Sequence, residues 1–209
     1  MTHLDRHAQS TNYCAACPKL CTFACPVSGA SRRETVTPWA KMSLAEHIRQ
    51  KRLPYTAETL DPLTHCLSCR LCTTYCKHEI DVGEALAAAR ADAFENGQKD
   101  PRLAALAETF TRYGAPTDLD LGQTLRATLD AELFAPEAQV VLFPGCRAIA
   151  DAPQELQAAF RLFSALRIDF VAAYSGPDYC CGAPLYYAGY QAHFKRHAEK
   201  LGRRLQDFK

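Results

Sequence analysis

The chain has 209 residues, enough for one large domain or two small ones. Its 24 Lys plus Arg against 23 Asp plus Glu leave a formal charge of +1, which excludes a field built for nucleic acid and a disordered acidic tail. Its 11 cysteines are too many for idle thiols in a chain of ordinary apolar content, and the start, Met1-Thr-His-Leu-Asp-Arg-His7, lacks the apolar stretch of a secretory signal.

Residues 1–13 read as a flexible leader. Cys14-Ala-Ala-Cys17-Pro-Lys-Leu-Cys21-Thr-Phe-Ala-Cys25-Pro26 then places four cysteines in one tight loop closed by a proline. Pro38 to Lys51 predicts a helix: proline suits the first turn, and Trp39, Met42, Leu44, Ala45 and Ile48 make a partly apolar face. Trp39 is expected to fill core between cysteine loops, and Arg32, Arg33, Lys41, Arg49, Lys51 and Arg52 to form a solvated face. Cys66-Leu-Ser-Cys69-Arg-Leu-Cys72-Thr-Thr-Tyr-Cys76 is the second loop. Lys77 follows it in place of a proline, which leaves the surroundings of Cys76 more open and positive. His65 and His78 flank this loop as supporting or surface residues.

Three helices are predicted next, over 82–96 with Gly97 as its cap, over 101–113 before Gly114, and over 121–134, with Pro116 and Pro136 as punctuation. At Ala138 the pattern changes. A continuous apolar strand over 139–143, a turn at Pro144-Gly-Cys146, a helix over 152–166 and a strand over 168–174 predict a βαβ unit with buried parallel strands. Such a unit brings the C-terminal ends of its strands to one edge, where open α/β sheets bind ligands. A last helix over 187–207 carries an exposed basic face of Lys195, Arg196, Lys200, Arg203 and Arg204. The chain thus divides into an all-helical part, 1–135, and an α/β part, 136–209.

The second loop has the C-x2-C-x2-C-x3-C spacing that holds a cubane iron–sulfur cluster. Three thiolates in one loop reach three irons of one cube. The fourth cysteine, one helical turn on, points elsewhere and serves a second cluster, so this run demands a partner run. The first loop supplies it, with one departure: three residues rather than two separate Cys17 from Cys21. A bulged residue accommodates that spacing, as does a three-iron cluster in place of a four-iron one. Structural zinc uses two C-x2-C pairs and has no need of a third and fourth cysteine at these offsets, and disulfide scaffolds are small and secreted. Reduced thiols for cluster assembly, and the lack of any apolar run long enough for a membrane span, fit a cytoplasmic setting. A small domain of this type takes much of its cohesion from its clusters. Cys146, Cys180 and Cys181 follow the two strand ends, so three more thiols converge at one edge, where metal binding is favoured over inert burial.

Phe143-Pro-Gly-Cys146, a long spacer, and Cys180-Cys181-Gly182-Ala-Pro184-Leu-Tyr-Tyr-Ala-Gly189 resemble the cysteine-rich CCG domain. That domain occurs in heterodisulfide reductases and in the iron–sulfur subunits of anaerobic glycerol-3-phosphate, glycolate and lactate oxidation systems. In several of these it follows a two-cluster ferredoxin-like module, and the resemblance spans residues 14–189. It implies an α+β chain, with a helical ferredoxin-like domain for two [4Fe-4S] clusters over 1–135 and a partial α/β CCG domain over 136–209. It also implies that Cys14, Cys17, Cys21 and Cys76 hold one cubane cluster, and Cys66, Cys69, Cys72 and Cys25 the other. Cys146, Cys180 and Cys181 match the first half of a site for a third, non-cubane cluster. In heterodisulfide reductases such a site splits the disulfide substrate, which makes Cys180 and Cys181 candidate catalytic residues. A complete site in that family needs further cysteines downstream. The expectation is therefore a fragment, a site finished on another chain, or an incomplete third site.

The leading expectation is an iron–sulfur electron-transfer protein or oxidoreductase subunit, relaying electrons through two [4Fe-4S] clusters to or from the CCG domain. One alternative is a catalytic heterodisulfide or thiol reductase at the CCG site. Another is a non-redox zinc module used for binding. Gly-x-Gly-x-x-Gly is absent, so a flavin belongs on a separate subunit. The expected partner is a flavoprotein dehydrogenase or another redox subunit in a hetero-oligomer, free in the cytoplasm or docked at the membrane through that partner. No nucleic acid is expected. Glycerol 3-phosphate, a 2-hydroxy acid and a heterodisulfide all fit the family as substrates.

Overall fold

The computed structural model describes residues 1–134, 138–173, 180–206 and 208. Pro136, Tyr174 and Asp207, and the expected domain boundary at 135/136, lie outside them. The chain forms two compact units, Met1–Ala104 with Leu185–Gln191, and Ala105–Pro184 with Ala192–Lys209.

In the first unit residues 1–13 are folded, not a leader. A 3-10 turn, Leu4–His7, runs into α1, Ala8–Ala16. Leu4 is buried, and the amides of His3 and Leu4 donate to the Asp92 carboxylate at 2.7 and 2.9 Å. Farther along, the Thr11 hydroxyl donates to the buried Glu46. Pro26 opens a short α2, Pro26–Ser31, and Arg32, at φ 53°, ends it. The predicted helix at Pro38 is α3, Pro38–Arg49. Thr37 caps it by accepting from the Ala40 amide, and Pro38 takes the first turn. α4, Ala57–Thr64, starts on a capping box in which Thr56 and Thr59 each accept the other's amide. α5, Leu71–Thr74, is one turn inside the second cysteine loop. α6, Val82–Glu95, is capped by Asp81 and stopped before Gly97, whose φ of 78° only glycine adopts freely. Its alanines let it sit buried on nearly every side between Val82 and Ala93. Leu4, Met42, Ala45, Ile48, Leu63, Ile80, Val82 and Leu86 form the core, and Cys14, Cys66, Cys72 and Cys76 pack against it.

The Thr11 bond to Glu46 ties α1 to α3, and Glu46 also accepts from Arg49 and Gln50 at the end of its own helix. These bonds, that of Arg49 foremost, hold its carboxyl below the usual range against the cost of burial. The folded chain therefore releases this proton more readily than the unfolded one. The stabilisation is complete above the unfolded pKa and fades as pH falls through the lower folded one. Glu46→Gln is expected to cost about 1–3 kcal/mol at neutral pH and progressively less below about pH 4.5 in thermal melts. A difference that stays constant with pH would contradict this.

The second unit carries the C-terminal part of α7, Pro101–Tyr113, then α8, Leu121–Thr128. The expected single helix over 121–134 breaks at Leu129, which is extended, before a 3-10 turn at Ala131–Phe134. β1, Val140–Leu142, pairs in parallel with β2, Phe170–Ala172, in the register Val140↔Phe170. α9, Cys146–Asp151, and α10, Pro153–Ala165, connect them, so the βαβ expectation holds with an added short helix. β2 is buried as expected, whereas Val140 of β1 is exposed; among the described residues the sheet has these two strands. The expected last helix over 187–207 is α12, Gln191–Leu205, which starts later because Gly189 turns the chain at φ 92°, and an unexpected short α11, Ala183–Tyr187, precedes it. No helix among the described residues is long and apolar enough to cross a membrane.

Candidate metal centres

The two cysteine loops line two pockets, and each pocket takes its fourth cysteine from the opposite loop. Cys14, Cys17 and Cys21 share the first with Cys76. Cys66, Cys69 and Cys72 share the second with Cys25. Cys72 borders both.

Backbone conformations explain how short loops converge so many sulfurs. The extra residue of the first loop is absorbed at Lys19, which adopts φ 64°, so Cys17 and Cys21 still face one pocket. In the second loop Ser68 and Arg70 are both left-handed, at φ 52° and 60°. That conformation is uncommon outside glycine and clusters at functional sites. It turns the Ser68 amide onto Cys66 Sγ at 3.4 Å. Gly83 of α6 gives the loop room, since a Cβ there would lie 3.2 Å from Ser68.

Burial pushes the thiols of Cys14 and Cys72 up to about 12, and raises that of Cys21, with neighbouring cysteines adding to each. Cys25 runs the other way. Its burial is outweighed by the amide of Ser28 and the charge of Lys41, so its thiolate is favoured. Neither lining contains a carboxylate, while Lys77 borders the first pocket, and Lys41 and Arg70 the second. Soft sulfur donors ringed by cations suit an anionic iron–sulfur cluster and disfavour a hard cation.

Two buried cations escaped the sequence reading. Lys41, expected on a solvated face, is 1 % exposed; its Nζ donates to the His65 carbonyl at 2.6 Å and lies 3.9 Å from Cys25 Sγ. A signal was present: Lys41 shares the stripe of Ala45 and Ile48 at i, i+4, i+7. Arg90 is 3 % exposed in the alanine run of α6 and donates through Nη1 to the Leu63 carbonyl. Desolvation lowers its pKa to about 10, opposed by the nearby Cys66, so it keeps its charge at neutral pH. Trp39 is half-buried with Lys19 over its ring at 4.2 Å. His65 pairs with Asp61, while His78 stacks on Tyr13 at the border of the first pocket.

The third group lies in the second unit. Cys146 opens α9 and its Sγ is 3.4 Å from that of Cys180. Cys180 is fully buried, and Cys181 beside it is exposed. Cys180 is held protonated, far above the ordinary range, by its contacts with Cys146 and Cys181 and by burial. Its hydrogen bonds pull Cys146 down to about 7 and Cys181 to about 5. His197 meets the Cys180 carbonyl and packs its ring on Phe110 at 4.8 Å. The structure thus gathers these three thiols, with Cys146 and Cys180 in contact.

Residues 10–80 match the family of 4Fe-4S dicluster domains, and residues 140–208 match the family of cysteine-rich CCG domains. No curated protein and no solved structure matches the chain significantly.

Proposed function

We propose that this chain, an iron–sulfur protein that joins a 4Fe-4S dicluster domain to a CCG cysteine-rich domain, serves as the electron-relay subunit of an oxidoreductase complex. The exchange of Cys25 and Cys76 between the loops carries this reading, because it gives each pocket four thiolates at once. Cys14, Cys17, Cys21 and Cys76 would hold one [4Fe-4S] cluster and Cys66, Cys69, Cys72 and Cys25 the other. Such clusters, when bound, supply reversible one-electron storage. The chain's own residues ligate, shut out water and set the surrounding charge. Cys72, on the border of both pockets, keeps the two centres close. The partner on this reading is a flavoprotein dehydrogenase, which yields electrons in pairs that the relay accepts singly.

A second reading makes the CCG site catalytic. The contact between Cys146 and Cys180, and the ionisable Cys181 beside them, favour it. The third cluster or metal would then sit on Cys146, Cys180 and Cys181, with Cys180 and Cys181 as the reacting pair.

Anaerobic reconstitution followed by iron and sulfide analysis tests the first reading. Iron and acid-labile sulfide in equal amounts, with two EPR signals after reduction, are the expected result. Bound zinc and no visible absorption would overturn it. Cys180→Ala separates the two readings: the relay keeps its electron flow between partners, whereas a catalytic CCG site loses turnover with both cubane spectra intact.

A further inference from the structure

We propose that Lys41 and Arg90 are buried positioning charges that make the centre bounded by Cys25, Cys66, Cys69 and Cys72 the more easily reduced of the two. The inference rests on the reading that both pockets hold clusters.

Lys41 and Arg90 are both removed from water, at 1 % and 3 % exposure. The polar partners of the Lys41 ammonium are the His65 carbonyl and the sulfur of Cys25. Arg90 satisfies Nη1 on the Leu63 carbonyl, but its Nε and Nη2 are buried without a partner among the described residues. The Leu63 carbonyl that holds it lies three residues before Cys66, and both residues belong to the packing around one core. A buried charge left uncompensated costs several kcal/mol. Two such charges are tolerable where an anion faces them, and Cys25 and Cys66 both belong to the second pocket, whose lining has no carboxylate. The thiolates of that centre are thus the counter-charge for both cations.

The first pocket is built differently. Its bordering basic residues, Lys77 and His78, are exposed, so water and salt screen them. Reduction adds one negative charge to a centre, and a cation in a dry, low-dielectric wall favours the added charge far more than a solvated one does. The two centres have the same ligand chemistry, four thiolates each, so the difference in buried charge decides their order. Electrons settle first at the Cys25–Cys66–Cys69–Cys72 centre.

The test is a redox titration followed by EPR on the anaerobically reconstituted chain, with Lys41→Met, Lys41→Gln and Lys41→Arg beside the native protein. Lys41→Gln keeps a donor for the His65 carbonyl and removes the charge, so it stands in if Lys41→Met does not assemble. Loss of the charge should lower the reduced-to-oxidised ratio of the higher-potential centre at least tenfold at fixed potential, about 59 mV for a one-electron couple. The lower-potential centre should not move, and Lys41→Arg should restore most of the shift. In a Cys76→Ala background, where the second centre stands alone, its single potential should be the higher of the two and should fall with Lys41→Gln. The proposal is overturned if the charge-removing variants move neither potential, move the lower one, or move both alike. A native chain that binds no iron would instead remove the cluster reading itself.

Discussion

Cys76→Ala empties the centre ringed by Cys14, Cys17 and Cys21 and leaves the centre of its own loop in place. The expectation runs against chain proximity, since Cys76 is only four residues from Cys72 and lies 55 beyond Cys21. It follows from the shared pocket, in which Cys76 faces the N-terminal three. Iron and sulfide should fall by about half, and one of the two EPR signals should vanish. Cys25→Ala should remove the other signal by the same logic, because Cys25 lines the pocket of Cys66, Cys69 and Cys72. Loss of the Cys66 centre on replacing Cys76 would show that each loop holds its own four ligands and would refute the exchange. Stability should drop as well. Cys76 and Cys14 pack on the core of Met42, Leu63 and Leu86, and a metal–thiolate bond that exists only in the folded state contributes directly to folding.

Gly189→Ala is expected to be strongly destabilising. The Gly189 backbone runs so close to α6 that a Cβ would stand 2.6 Å from the Arg90 carbonyl carbon and 2.9 Å from the Ala91 nitrogen. Both obstacles are backbone, so no side chain can swing aside. The residue also sits at φ 92°, which side-chain-bearing residues rarely adopt. Strain and clash together should cost about 3 kcal/mol or more. The flanking contacts should loosen in step: Tyr186 donates to Glu84, and the Tyr190 ring lies 4.4 Å from that of Phe94. Thermal melts of the loaded protein provide the check, and a variant within about 0.5 kcal/mol of the native chain would contradict the packing described here.

The cysteine loops were legible because metal ligation imposes spacing directly on sequence. Caps were legible for a similar reason: Pro38 and Gly97 act within one turn of their own position. The folded N-terminus was not, because its anchors are distant. Leu4 is a lone apolar residue in a polar stretch, and the Asp92 carboxylate that receives its amide lies 88 residues away. Lys41 was misread because a charge on a helix is solvated by default, and only its phase with Ala45 and Ile48 spoke otherwise. Arg90 hid in an alanine-rich run whose burial on all sides leaves no polar face to compare. The last helix was started too early, at Tyr187, because a glycine inside a helical pattern is often tolerated, and the close approach of Gly189 to Arg90 is a tertiary fact.

Because Cys14, Cys66, Cys72 and Cys76 pack on the same apolar core as Met42 and Leu63, loss of what those thiols hold would also loosen that core. An emptied chain is therefore expected to be cut by proteases faster than a loaded one.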